Sequence, residues 1–228
     1  MRVSLSLWSL DQGRVADEIR RYESLVESFH VDVMDGQFVD NLLFGPLTIE
    51  TLRALTDKQI VVHLMVARPR RWVTRFVNAG ADLLVIHTAT SDDFSSTLLA
   101  IRDAGAAAGA AIGLEEPSQP VFDNLDTLSV VLVMGTSIGV KGAPLNEAAL
   151  GTVRRLANAR TSGAGPDVFV DGGIRVPSIP HIAAAGADGV VGGSIITGTA
   201  DPPAAITRIV QLGHQRWENQ SAVDRLLE

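Results

Sequence analysis

The chain has 228 residues, 46% of them apolar, and a formal net charge of −7. That length suits one α/β barrel domain spanning 1–228, since such barrels run to about 250 residues, and the acidic balance excludes the basic face of a nucleic-acid binder. The absence of cysteine excludes a disulfide framework and a thiolate metal site. No apolar run reaches the roughly 18 residues of a membrane span, and the start MRVSLSLWSL lacks the basic segment and long apolar stretch of an export signal, so a soluble cytoplasmic protein is expected.

Strand-like and helix-like segments alternate along the chain. Strands are predicted at 3–7, 29–35, 60–66, 82–88, 110–115, 130–135, 167–171 and 189–193. A helix is predicted over 70–79, where Trp72, Val73, Phe76 and Val77 recur at helical spacing and Gly80 supplies the stop. Gly105 and Gly186 punctuate other helix ends, and Asp92 and Asp93 are placed to start the helix after strand four, where negative charge is favourable. The small-residue run 106–111 reads as a helix end leading into strand five, and 201–228 as the helix that closes the structure. Eight strands, each followed by a helix, imply a parallel sheet, and the count favours a closed (β/α)8 barrel over an open doubly wound sheet.

Barrel enzymes carry their chemistry at the C-terminal ends of the strands. In FHVDVMDG, His30, Asp32 and Met34 share one parity of strand two, because strand side chains alternate with a period of two. His63 and Met65 share one parity of strand three, Met134 ends strand six and Asp171 ends strand seven. Two imidazoles and two carboxylates without any thiolate point to one divalent metal ion, and the carboxylates are also free to move protons. Met34, Met65 and Met134 are the only methionines besides the first residue, and all lie at strand ends; they are expected to form a polarisable, water-poor wall. Phosphate is expected at the loops after strands seven and eight, Gly172-Gly173 and Gly193-Ser194, where bare backbone N–H groups meet an anion. A third glycine loop, Gly139-Val140-Lys141-Gly142, follows strand six and adds a cation.

HVDVMDGQFVDN, VHLMV, GADLLVIH, VDGGI and GADGVVGGSII occur in this order. Together they resemble the ribulose-phosphate 3-epimerases, over residues 4 to about 201. The resemblance implies a (β/α)8 TIM barrel of the ribulose-phosphate-binding type, a divalent metal on His30, Asp32, His63 and Asp171, and a small phosphorylated ketose as substrate. Zinc suits this donor set best, with iron, manganese or cobalt as alternatives. Ser6 and His63 match substrate-contacting positions; Gly139, Val140, Lys141, Gly142, Gly172, Gly173, Gly193 and Ser194 match phosphate-side segments, and the three methionines match a cap over the enediolate. A homo-oligomer is also implied. Asp32 and Asp171, on strands far apart around the ring, would act as the proton-transfer pair of an epimerase.

The chain departs from the family pattern at particular places. After strand six, a Pro-Gly-Phe-Gly-Gly-Gln run is replaced by residues from Gly135 to Ala143 that include Lys141; Gln37 replaces a histidine, and Asp40 a proline. Glu115-Glu116-Pro117 replaces a Leu-Asn-Pro pattern. These changes leave the sugar open, so an epimerase for a tetrulose or hexulose phosphate stands beside the pentulose reading. A lyase on the same barrel is a lesser alternative, because no lysine accompanies the carboxylates of strands two and three. Glu115 and Glu116 read as a solvated rim; the sharper reading sets Glu116 against Lys141 over the pocket. Lys141 is alternatively a point charge for phosphate. His87 reads as a hydrogen-bonded rim residue, His181 and His214 as surface groups, Asp35 as a turn-fixing carboxylate, and Trp8 and Trp72 as packing.

Overall fold

The computed structural model describes residues 1–90, 92–160 and 165–224, with side chains up to 214. Its strands are β1 (Arg2–Ser6), β2 (Ser28–Asp35), β3 (Leu42–Leu43), β4 (Gln59–Met65), β5 (Leu83–His87), β6 (Ala107–Ile112), β7 (Val130–Met134), β8 (Asp167–Asp171) and β9 (Gly189–Gly192). All but β3 pair in parallel, and β1 pairs with both β2 and β9, so the sheet closes into an eight-stranded ring. The short β3 folds back antiparallel on the end of β2, with Met34 opposite Leu43. Helices α1 (Val15–Tyr22), α2 (Pro46–Arg53), α3 (Val73–Asn78), α4 (Phe94–Asp103), α5 (Gln119–Phe122), α6 (Ala148–Ala159), α7 (Ile179–Ala184), α8 (Ser194–Thr197) and α9 (Pro202–Asp224) complete the (β/α)8 pattern. Among the described residues, no helix is long and apolar enough to cross a membrane.

Strand parity separates two interiors. Leu84 and Ile86 of β5, Val131 and Val133 of β7, and Val168 and Val170 of β8 join the core beneath the helices. Their neighbours of opposite parity, Leu83, Val85, Leu132 and Met134, form a smaller cluster with Ala111 and Val191. That second cluster is the inside of the ring, and the same parity carries Ser6, His30, Asp32, His63, His87 and Asp171. The helices meet the outer face in the usual way: α6 buries Ala149, Leu150, Val153 and Leu156, a single apolar stripe.

Two boundaries differ from the sequence reading. The fifth barrel strand runs over Ala107–Ile112, three residues earlier than predicted at its N-terminal end, and the run read as a helix end is most of that strand. Small residues are required there: a Cβ on Gly109 would lie 2.7 Å from Val130 Cγ1 and 2.9 Å from Val85 Cγ2, so packing overrides the weak strand propensity of Ala and Gly. The helix predicted over 70–79 begins as a 3-10 turn at Pro69–Trp72 before α3. Helices α3, α4 and α7 end just before Gly80, Gly105 and Gly186, as expected. The last helix, α9, packs on α7 and β1, and residues 225–228 of the predicted closing helix lie outside the described ones.

Two acidic residues do the local work expected of them. Asp93 caps α4, accepting from the Ser96 amide at 2.8 Å. Asp35 Oδ1 accepts from the amides of Gln37 and Phe38, both at 2.9 Å, and Oδ2 from the Ala67 amide at 2.9 Å. The carboxylate thus ties the end of β2 to the segment following β4. Burial pushes its pKa up, but the Phe38, Ala67 and Gln37 amides outweigh it and hold the carboxyl below its ordinary value. Asp35→Ala should therefore destabilise the fold by about 2–3 kcal/mol, as for hydrogen bonds to a charged group, read by urea denaturation at neutral pH. Because the folded pKa is depressed, that difference should be complete above the unfolded carboxylate pKa and should fade as pH falls through the folded value.

Candidate active site and metal centre

The C-terminal mouth of the ring brings four chemical groups into one cluster. Register sets Ser6 beside His30, Asp32 beside His63, and Met134 beside Asp171. His30 Nε2 and His63 Nδ1 each lie 3.2 Å from Asp32 Oδ1 and 3.7 Å from Asp171 Oδ2. One ligand atom from each of these residues falls within 4.8 Å of the others. His30, Asp32 and His63 are buried, and the Asp171 side chain is 16% exposed. Ser6 Oγ donates to Asp32 Oδ2 at 3.2 Å.

Electrostatics separates the two carboxyl groups. Burial pushes Asp32 up, but His30 and His63, through charge and hydrogen bonds, pull it well below the usual carboxylate range. For Asp171, burial wins with help from the Asp32 charge, and its pKa is raised against the opposing pull of His30 and His63. Burial likewise lowers His63, whereas for His30 the charge and hydrogen bond of Asp32, with Asp171, outweigh burial and raise it. Two carboxyls whose environments drive their pKa values apart can take opposite roles in proton transfer. Two imidazole nitrogens and two carboxylate oxygens within reach of one another are also a donor set that a divalent cation suits.

A cavity opens beside the cluster, lined by both Asp32 and Asp171. Every predicted phosphate-side residue borders it: Gly139, Val140, Lys141, Gly142, Gly172, Gly173, Gly193 and Ser194. Ser6, Met65 and Met134 are in its wall as well, whereas Met34 lines a neighbouring groove with Val33, Phe44 and Trp72. Met34 is paired with Leu43 of β3 on one side and with Met65 of β4 on the other.

Several residues sit otherwise than the sequence reading placed them. Trp8, read as packing, lines the cavity two residues beyond Ser6. Lys141 donates to the Trp8 carbonyl at 2.9 Å, with its ammonium 5.4 Å from the Trp8 ring centroid. It therefore joins the loops after β1 and β7, and the alternative reading that set Lys141 against Glu116 is not what the structure shows. Nor is Glu116 a solvated rim: its side chain is 8% exposed, and both carboxylate oxygens lie about 3 Å from His87 Nδ1, at 2.9 and 3.0 Å. Glu115 is exposed as read, and so are His181 and His214. His87 is hydrogen-bonded, as expected, but completely buried inside the ring. Arg175 also lines the cavity and donates to the Gly142 carbonyl at 2.9 Å; its position directly after Gly172-Gly173-Ile174 was the signal that could have marked it.

Comparison with known proteins shows the family of the chain. A model of the ribulose-phosphate 3 epimerase family matches residues 2–197. The chain is 32% identical to a ribulose-phosphate 3-epimerase of Bacillus subtilis (strain 168), covering 92% of this chain and 98% of that one. It is 35% identical to a ribulose-phosphate 3-epimerase of Mycobacterium tuberculosis (strain H37Rv), covering 91% and 90%. In fold it is similar to 3-hexulose-6-phosphate synthase from Salmonella typhimurium, with a TM-score of 0.70, 19% identity, and coverage of 94% and 99%.

Proposed function

Because this chain belongs to the ribulose-phosphate 3-epimerase family, we propose that it is a metal-dependent 3-epimerase, with D-ribulose 5-phosphate and D-xylulose 5-phosphate as its default pair. It is an isomerase acting on a ketose phosphate; the metal, the two-carboxylate mechanism and the sugar are the proposal. The reading is carried by one observation: Asp32 and Asp171 both border the cavity while reaching into the same four-group cluster.

His30, Asp32, His63 and Asp171 would hold the metal, zinc first and iron, manganese or cobalt as alternatives. When bound, such an ion supplies Lewis acidity toward the ketone oxygen. The chain's own groups carry the proton. Asp32, held ionised, takes the C3 proton from one face, and the C3–H bonding pair becomes the C2–C3 double bond of an enediolate. Asp171, which retains its proton more readily, delivers it to C3 from the other face. The proton has then moved from one carboxyl to the other, and exchange with water restores the starting state. Met65 and Met134 exclude water beside the reacting carbons. The amides of Gly172, Gly173, Gly193 and Ser194 would seat the phosphate, with Lys141 and Arg175 as nearby cations.

The proposal includes a cytoplasmic homo-oligomer, on the family resemblance alone. The decisive experiment combines metal analysis of the purified protein with deuterium exchange at C3 across tetrulose, pentulose and hexulose phosphates. Exchange with inversion, fastest on the pentulose, is expected. Carbon–carbon cleavage, or no exchange on any of them, would overturn the reading.

A further inference from the structure

A buried line of hydrogen-bonding groups runs from the cluster to the loop after β6. His63 Nε2 lies 2.8 Å from His87 Nε2, and His87 Nδ1 lies 2.9 Å from Glu116 Oε1. The two rings are stacked, with centroids 4.9 Å apart, and Phe38 lies against His87 with centroids 5.1 Å apart. Glu116 is itself held: its Oε2 accepts from the Gly113 amide at 3.1 Å and from Thr88 Oγ1 at 3.3 Å. None of these contacts is needed for the proton transfer described above.

The direction of this line follows from the chemistry of its two ends. An ionised carboxylate can only accept, so the nitrogen facing it, His87 Nδ1, bears a hydrogen. In the neutral ring the other nitrogen is then an acceptor. With an ion on the Nδ1 lone pair of His63, the ring hydrogen of His63 lies on Nε2, and His63 Nε2 is the donor to that acceptor. Without an ion, Nδ1 would instead carry a hydrogen toward Asp32 Oδ1, 3.2 Å away, so the line has this single direction in the ion-bound protein.

We propose that Glu116 is a positioning residue: through His87 it fixes the ring hydrogen of His63 on Nε2 and presents Nδ1 as a free lone pair to the metal. This rests on the metal-site reading above and extends it to a residue where the chain departs from its family's pattern. A ligand ring whose outer nitrogen is oriented by a partner gains both a fixed tautomer and a fixed tilt.

Glu116→Leu tests it by removing both oxygens, which lie 2.9 and 3.0 Å from His87 Nδ1. No acceptor from this residue then faces His87 Nδ1, and the His87 hydrogen is free to move to Nε2, against the hydrogen that His63 must keep on Nε2 to present Nδ1 to the ion. The zinc dissociation constant, measured by competition with a chromophoric chelator, should weaken about 10–100-fold, the usual effect of removing such a partner. Exposed Glu115→Gln should leave it unchanged. Nitrogen-15 spectra of the histidine rings in the zinc-loaded protein provide a second reading: the parent should show hydrogens on His63 Nε2 and His87 Nδ1, and Glu116→Leu should move the one on His87. A zinc-loaded parent with the His87 hydrogen on Nε2, or a variant with unchanged zinc affinity and an unchanged His87 tautomer, overturns the proposal. A parent protein that binds no zinc overturns the metal site, and a His87 hydrogen on Nδ1 that Glu116→Leu displaces leaves the orienting of His87 by Glu116 standing.

Discussion

Asp171→Asn should lower turnover by about 10²–10⁴-fold, the scale on which positioned acids and bases contribute, with little change in KM. Asparagine keeps the size of the side chain and one oxygen toward the cluster but can no longer give or take a proton. Asp32→Asn should do the same for the opposite reason, since it removes the group held ionised by His30 and His63. The two variants should differ in a way that a general loss of structure would not produce. Each should still exchange solvent deuterium into one of the two epimers, the one whose C3 hydrogen faces the surviving carboxyl. Zinc content measured on the same samples separates loss of a proton carrier from loss of a ligand. Near-normal turnover in both variants would end the two-carboxylate assignment.

Gly173→Ala should lower kcat/KM about 10²-fold, the penalty expected when reacting groups are displaced by about 1 Å, with the change falling mainly on KM for the sugar phosphate. Gly173 has φ +72°, which disfavours any side chain. A Cβ there would run into the backbone of Leu145 and lie 2.8 Å from the carbonyl carbon of Pro144. Backbone cannot swing aside as the tip of a side chain can, so the loops after β7 and β8 would be driven apart. Inhibition by inorganic phosphate should weaken in parallel, which ties the effect to the anion seat. Unchanged KM and unchanged phosphate inhibition would mean that the two loops do not hold the phosphate.

Much of the site was legible because it obeys strand parity. His30 with Asp32, and His63 with Met65, declare one face of a strand by spacing alone, and a barrel leaves only the mouth as the place where such faces converge. Asp171 was legible from its place at the end of an apolar run followed by two glycines. Glu116 was misread because its position depends on the strand before it. With β6 ending at Ile112, the chain turns back, and the Glu116 amide donates to the Gly113 carbonyl at 3.2 Å. The carboxylate is thereby folded inward against His87 instead of standing on the rim. A strand of alanine and glycine carries no pattern from which that end could be fixed. Lys141 and Trp8 are joined by loops distant in sequence, and a contact of that kind leaves no periodic trace.

The cluster also bears on the order in which the molecule can be assembled. His30, Asp32 and His63 sit on adjacent strands near the start of the chain, paired through one register. Asp171 belongs to β8 and reaches them only across β9 and β1, the pairings that close the ring. An emerging chain therefore carries three of the four cluster residues long before it has the last one. Full-strength capture of an ion by this cluster would have to wait for the ends of the sheet to meet. An ion held there would act as a latch on the seam, stabilising only barrels that have closed in the correct register.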